Sequence, residues 1–223
     1  MYAKVNVPQI SIPSPVSYSN SSLSEQRGRI AALICDYVTL ALAQHLVSVE
    51  CAMYELATVY QDGGDAEHWA LAGLLHDIDW DACKKDPELH CRKGSQDWLL
   101  SNGIDRKIME DAFSHYGNVA GFGFQNGSGF PVNTRLRESL FAADELCGFI
   151  IACALVRPSK SIMDMETSSV MKKFKDKHFA AQVDRTLIRT CEVTLKTPLS
   201  DFVGHTLNAM KKYSAAIEGM KKS

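Results

Sequence analysis

The residues in this chain best suited to chemistry sit where their side chains are costly to bury. His45 shares a helical stripe with Val49, Ala52 and Leu56. His76 follows Trp69, Ala72 and Gly73 on one face, and His115 follows Ile104, Ile108 and Ala112. Asp144 lies between Leu140 and Cys147, with Ile151 beyond. A single histidine on an apolar face is more often a hydrogen-bonded core residue than a ligand. A buried carboxylate is harder to accommodate, because it stays ionised in an apolar medium only when paired or metal-bound. Histidines and aspartates aimed inward from separate helices, with Asp77 beside His76, are most simply explained by one shared metal centre. Imidazole and carboxylate donors without thiolate point to a divalent transition metal: Fe, Mn, Zn, Ni or Co.

The order of these residues carries a resemblance. His45, the His76-Asp77 doublet and the distant Asp144 resemble the ligand pattern of the HD superfamily of metal-dependent phosphohydrolases. The flanks agree, with Ala72-Gly73-Leu74-Leu75 before the doublet and Ala142-Ala143-Asp144-Glu145-Leu146 around the last residue. The likeness spans about residues 25–156. It implies an all-α helical bundle, a site with one or two metal ions, and Asp77 and His76 at the catalytic centre. By analogy with two-metal members, Asp77 would bridge the ions, with His90 and His115 on the second. Taken alone, His90 also reads as a surface residue at a polar helix start. His68, His178 and His205 fall outside the pattern and read as structural or surface residues. Asp79, Asp81 and Glu145 are proton-donor candidates only by adjacency, and read as solvated carboxylates.

The implied activity is hydrolysis of a phosphomonoester, phosphodiester or phosphoanhydride, on a nucleotide or a similar small phosphorylated metabolite. A metal lowers the pKa of its bound water toward neutrality, so no serine or cysteine nucleophile is required, and no GxSxG elbow is present. The alternative is a regulatory module that keeps the metal and senses a nucleotide without turnover. Gly127-Ser128-Gly129-Phe130-Pro131 is similar to the Gly-Tyr-Pro signature of HD enzymes that open cyclic dinucleotides, but has Phe for Tyr. A Gly-rich loop such as Gly117–Pro131 more often serves as a flexible lid.

Elements that would position these groups follow from periodicity and breaks. Helices are expected over about 25–41, 42–61, 66–78, 87–101, 104–116, 133–156, 162–173, 179–195 and 198–220. Asp65 offers an N-cap, Pro87 suits a first turn, and Asn102-Gly103 is a stop. Alternating β-branched runs are missing, so a sheet is not expected. Residues 1–22 hold Pro8, Pro13 and Pro15 and read as a loose tail or an arm laid over the domain. The HD domain would span 23–157, with a C-terminal helical extension over 158–223 packed on the same domain.

Composition narrows the rest. The chain has 223 residues, 46 % of them apolar, enough for a sizeable core. Its 26 acids and 24 bases nearly cancel, which gives no signal for nucleic-acid binding. The seven cysteines are odd in number and form no CxxC pair, which argues for a reduced, cytoplasmic setting. The N-terminus lacks the apolar stretch of a signal peptide, and no apolar run nears the ~20 residues that span a bilayer. A homo-oligomer is compatible with these features. One basic segment stands out: Arg157, Lys160 and Lys175 follow the Asp144 helix and are candidates to grip an anionic substrate.

Overall fold

The structure, a computed structural model, describes residues 10–60, 65–119 and 127–220. Among these the chain is all-helical, without strands. The helices are α1 (Ser21–Tyr37), α2 (Leu40–Tyr60), α3 (Ala66–Leu75), α4 (Trp80–Cys83), α5 (Lys93–Ser101), α6 (Arg106–Phe113), α7 (Arg135–Leu155), α8 (Thr167–Phe174), α9 (Arg185–Val193), α10 (Leu199–Lys212) and α11 (Ser214–Gly219). Short 3-10 turns cover Pro87–Leu89 and Ser114–Tyr116.

Side chains cap several helix starts and satisfy otherwise orphaned amides. Asn20 accepts from Ser22 and Leu23, Asp65 from Glu67, Asp105 from Lys107 and Ile108, and Thr134 from Arg137. The expected cap at Asp65 is therefore in place, while the Asp62–Gly64 break lies outside the described residues. No helix among the described residues is long and apolar enough to cross a membrane. No disulfide joins the seven cysteines.

α2 is the axis of the molecule. It packs against α3, α7 and α10 and buries Leu46, Val47, Val49, Met53 and Leu56. α10 contributes Phe202, Val203, Leu207 and Met210 to the same apolar cluster, so the C-terminal helices share one core with the rest. Each such side chain, fully buried, contributes roughly 1.5–3 kcal/mol before entropy is counted. α3 lies unusually close to α2. A Cβ on Gly73 would come 2.7 Å from the Val49 carbonyl oxygen, so only glycine permits this approach. That approach brings the end of α3, where His76 stands, against His45 on α2.

Polar groups also bind the layers. Asp111 of α6 accepts from His68 of α3 (2.9 Å), Lys107 (2.6 Å) and Arg137 Nε of α7 (2.7 Å). His68 thus has a structural role, while His178 and His205 are exposed.

The segment before α1 is an arm rather than a loose tail from residue 10 onward, and α1 begins at Ser21. Ile10 and Val16 are buried. Tyr18 donates its hydroxyl to the buried Glu50 (2.8 Å), which also pairs with Arg27 (3.1 Å). Arg27 in turn donates to the Pro13 carbonyl. The Ser19 amide and hydroxyl both reach Glu67 at 2.6 Å. Composition pointed to a loose segment; two apolar anchors and three buried polar partners hold it in place.

Other boundaries moved for local reasons. The helix expected over 87–101 is split, because Cys91 adopts φ 58° and its amide turns to Asp79 (2.9 Å). The helix expected over 66–78 ends at Leu75, with His76 as its C-cap. The one expected over 198–220 is interrupted at Tyr213.

Candidate metal centre

Four expected ligands converge from three helices. His45 is on α2, His76 and Asp77 sit at and just past the end of α3, and Asp144 is on α7. One donor atom from each lies within 4.8 Å of all the others. His45 Nε2 is 3.1 Å from His76 Nε2 and 3.0 Å from Asp144 Oδ1. His76 Nε2 is 3.3 Å from that same oxygen and 3.8 Å from Asp77 Oδ2.

His90 and His115 complete the arrangement on the other side of Asp77. Asp77 Oδ1 is 3.2 Å from His90 Nε2 and 3.0 Å from His115 Nε2. The two ring nitrogens are 3.2 Å apart. His90 owes its position to the break before α5, and His115 to the 3-10 turn after α6. His90 is buried, which removes the surface reading.

Ring orientations test whether this set fits a metal. His76 Nδ1 donates to the Gly73 carbonyl and His115 Nδ1 to the Ala112 carbonyl, each at 2.8 Å. A carbonyl can only accept, so Nδ1 carries the proton and, in the neutral ring, Nε2 presents a lone pair. Those lone pairs face one another and the carboxylates, a geometry that is repulsive unless a cation or proton lies between them. His90 Nδ1 is held by Asp79 Oδ1 at 2.7 Å, the carboxylate–histidine pairing that orients metal-bound imidazoles. The donor set therefore suits a metal. Side-chain exposure is 0 % at His76 but 17–21 % at Asp77, His45 and Asp144, so the site opens toward those three.

Electrostatics accord with a cation site. Burial disfavours a charged His76, yet Asp77 and Asp144 outweigh it and hold the ring near pKa 9. Burial also opposes charge on His90, and Asp77 and Asp79 raise it to about 10. Against the same burial, the histidines hold Asp77 and Asp144 well below the usual carboxylate range. Glu145 behaves differently: burial and the neighbouring Asp144 push it up to about 8.

Several readings of the neighbours change. Asp79 is not solvated; it is buried and accepts from His90, the Cys91 amide and the Ser95 hydroxyl. Asp81 accepts from the Thr39 amide (2.7 Å) and Lys84 (3.1 Å). Glu145 is half-buried and accepts from the Asp184 amide. Sequence reasoning missed Cys91, whose Sγ lies 3.4 Å from His90 Nε2 and within the second group of donors. Burial, then Asp79 and Asp77, push its thiol well up. Its place directly after His90 was the available signal.

The basic residues are not gathered here. Arg157 is paired with Asp164 (3.3 Å), Lys160 lines a separate cavity with Gln44, Ile162 and Glu218, and Lys175 is exposed at the end of α8. The lid reading falls mainly on residues 120–126, outside the described residues. The loop's far end is packed: Gly127 and Ser128 donate to the Tyr116 carbonyl, and Gln96 holds the Ser128 carbonyl. No family model, curated protein or solved structure matches the chain.

Proposed function

We propose that this chain is a metal-dependent phosphohydrolase of the HD type, acting on a nucleotide or a similar small phosphorylated metabolite. One observation carries the reading. Asp77 divides its carboxylate, with Oδ2 turned to His76 and Oδ1 to His90 and His115. A single carboxylate shared between two imidazole groups is the arrangement a two-metal site requires.

His45, His76, Asp77 and Asp144 would hold one ion, and Asp77, His90 and His115 the other. Bound divalent ions in such a pair supply charge that polarises a phosphoryl oxygen and activate water near neutral pH. The chain's own part is orientation. Gly73, Ala112 and Asp79 fix three rings so that their Nε2 atoms converge. The open side at Asp77, His45 and Asp144 admits the substrate, and the core behind His76 excludes water.

Metal analysis of the purified protein, anomalous scattering and a phosphate-release screen with added Mn test the reading. Two ions flanking Asp77 and release from at least one phosphate ester or anhydride are expected. Bound metal without turnover on any phosphate would favour the sensing module instead. Absence of bound metal under all loading conditions would end both readings.

A further inference from the structure

His90 and Cys91 are consecutive, and in extended backbone consecutive side chains point to opposite sides. Here their donor atoms are brought together. Cys91 adopts φ 58°. Its Sγ lies 3.4 Å from His90 Nε2 and 3.7 Å from Nδ1, nearer the nitrogen that faces Asp77. Asp79 holds both residues, through the His90 ring (2.7 Å) and the Cys91 amide (2.9 Å). Donor atoms of His90, Cys91 and His115 lie within 4.8 Å of one another. Cys91 is fully buried, and the His76 carbonyl is 3.9 Å from its sulfur, a long contact even for a thiol donor.

The spacing fits donors that share one ion. Metal bonds run about 2.0–2.1 Å to nitrogen or oxygen and about 2.3 Å to sulfur, which gives a tetrahedral site edges of about 3.3 Å between nitrogen or oxygen donors and about 3.5 Å between sulfur and nitrogen. His90 Nε2 to His115 Nε2 is 3.2 Å, and Asp77 Oδ1 is 3.2 and 3.0 Å from the same two nitrogens. Cys91 Sγ to His90 Nε2, at 3.4 Å, is the sulfur–nitrogen edge. Packing as a small apolar residue explains why a cysteine is buried, but not why its sulfur stands one ligand edge from a donor nitrogen. A bound cation makes the thiol a ligand: its proton leaves to solvent as the metal–sulfur bond forms.

We propose that Cys91 is a metal ligand, so that the ion beside His90 and His115 sits among two imidazoles, the Asp77 carboxylate and one thiolate. The inference rests on the metal centre of the proposed function and does not depend on hydrolysis. It divides the centre into unlike halves. His45, His76, Asp77 and Asp144 offer nitrogen and oxygen alone, a set that accepts Mn as well as Zn. The Cys91 half selects Zn over Mn, because thiolate is a soft donor.

The test reads the metal by spectroscopy. The full chain, stripped of metal and loaded with Co(II), should show an intense sulfur-to-cobalt charge-transfer band in the near ultraviolet. Cys91→Ser should lose the band while still binding cobalt. Cys35→Ser, which removes the one cysteine that is not buried, should keep it. Zinc affinity at the His90–His115 side should fall at least ~tenfold in Cys91→Ser, no less than the loss of an outer partner costs. Mn affinity at the His45–Asp144 side should not change. X-ray absorption of the zinc-loaded wild type needs no variant, and should show a sulfur neighbour at about 2.3 Å. Cobalt bound without the band, a band undiminished in Cys91→Ser, or a zinc shell of nitrogen and oxygen alone overturns the proposal and leaves the metal centre standing. A chain that binds neither cobalt nor zinc overturns both.

Discussion

Asp79 Oδ1 lies 2.7 Å from His90 Nδ1, and His90 Nε2 lies 3.2 Å from Asp77. The outer carboxylate thus sets the direction in which the inner nitrogen points. Its second oxygen holds the Cys91 amide and the Ser95 hydroxyl, so one buried side chain fixes the loop, the ring and the start of α5.

Removing that support should loosen one half of the centre more than the other. Asp79→Asn should weaken metal at the His90–His115 side by ~10–100-fold, the usual cost of losing such a partner. Occupancy at the His45–Asp144 side should change little. Titration with two resolved affinities measures this, and equal loss at both sides would show that Asp79 acts on the fold as a whole.

The shared carboxylate behaves differently. Asp77→Ala and His76→Ala should each remove bound metal and with it any hydrolysis, because Asp77 sits where the two groups of donors meet and His76 is the fully buried member of the His45–Asp144 group. His68→Ala changes a residue tied to Asp111 and should leave metal content at the wild-type level. Full occupancy in either of the first two variants would sink the metal assignment.

Acid stability follows from Asp111. Burial pushes its pKa up, but His68, Lys107 and Arg137 outweigh this and bring it down to about 2. A depressed folded-state pKa means stability that is fully present above the unfolded value, ~3.9 for Asp, and is lost as pH falls toward the folded one. Between about pH 4 and 2 the wild type should therefore lose ~1–2 kcal/mol that Asp111→Asn never had. Urea melts of both proteins across that range report it; parallel curves would assign the acid loss to other groups.

The arm should matter to folding. Deleting residues 1–18 removes Ile10 and Val16 from the core and takes from Glu50 its Tyr18 hydroxyl. The thermal midpoint should fall by more than ~5 °C, which for a domain of this size is over roughly 1 kcal/mol. An unchanged midpoint would return residues 10–18 to the status of a passive tail.

The all-helical class and the convergence of His45, His76, Asp77 and Asp144 were legible because helical periodicity reports which residues share a buried face. His115 was legible for the same reason, although its ring sits in a 3-10 turn past the helix end. Asp79 and Cys91 lie where no period applies. Asp79 is in a turn two residues after Asp77, and Cys91 takes a left-handed conformation that no sequence rule assigns to cysteine. The arm was one of two readings of residues 1–22, and the prolines and serines around Ile10 and Val16 hid which residues would anchor it. Arg157 was read for its charge, yet a sequence does not show that Asp164 will neutralise it.

The Glu50 cluster has a consequence for the centre some distance along the same helix. α2 is buried on most of its circumference, so apolar contact alone would accept it at several rotations about its axis. His45 and Glu50 are five residues apart, or about 140° around the barrel of the helix. Each tolerates one partner set: His45 the His76–Asp144 pair, Glu50 the Arg27–Tyr18 pair. Turning α2 by a single residue would strand both at once. The arm-bound glutamate therefore works as a key in a lock, setting the rotational phase at which the helix delivers its imidazole.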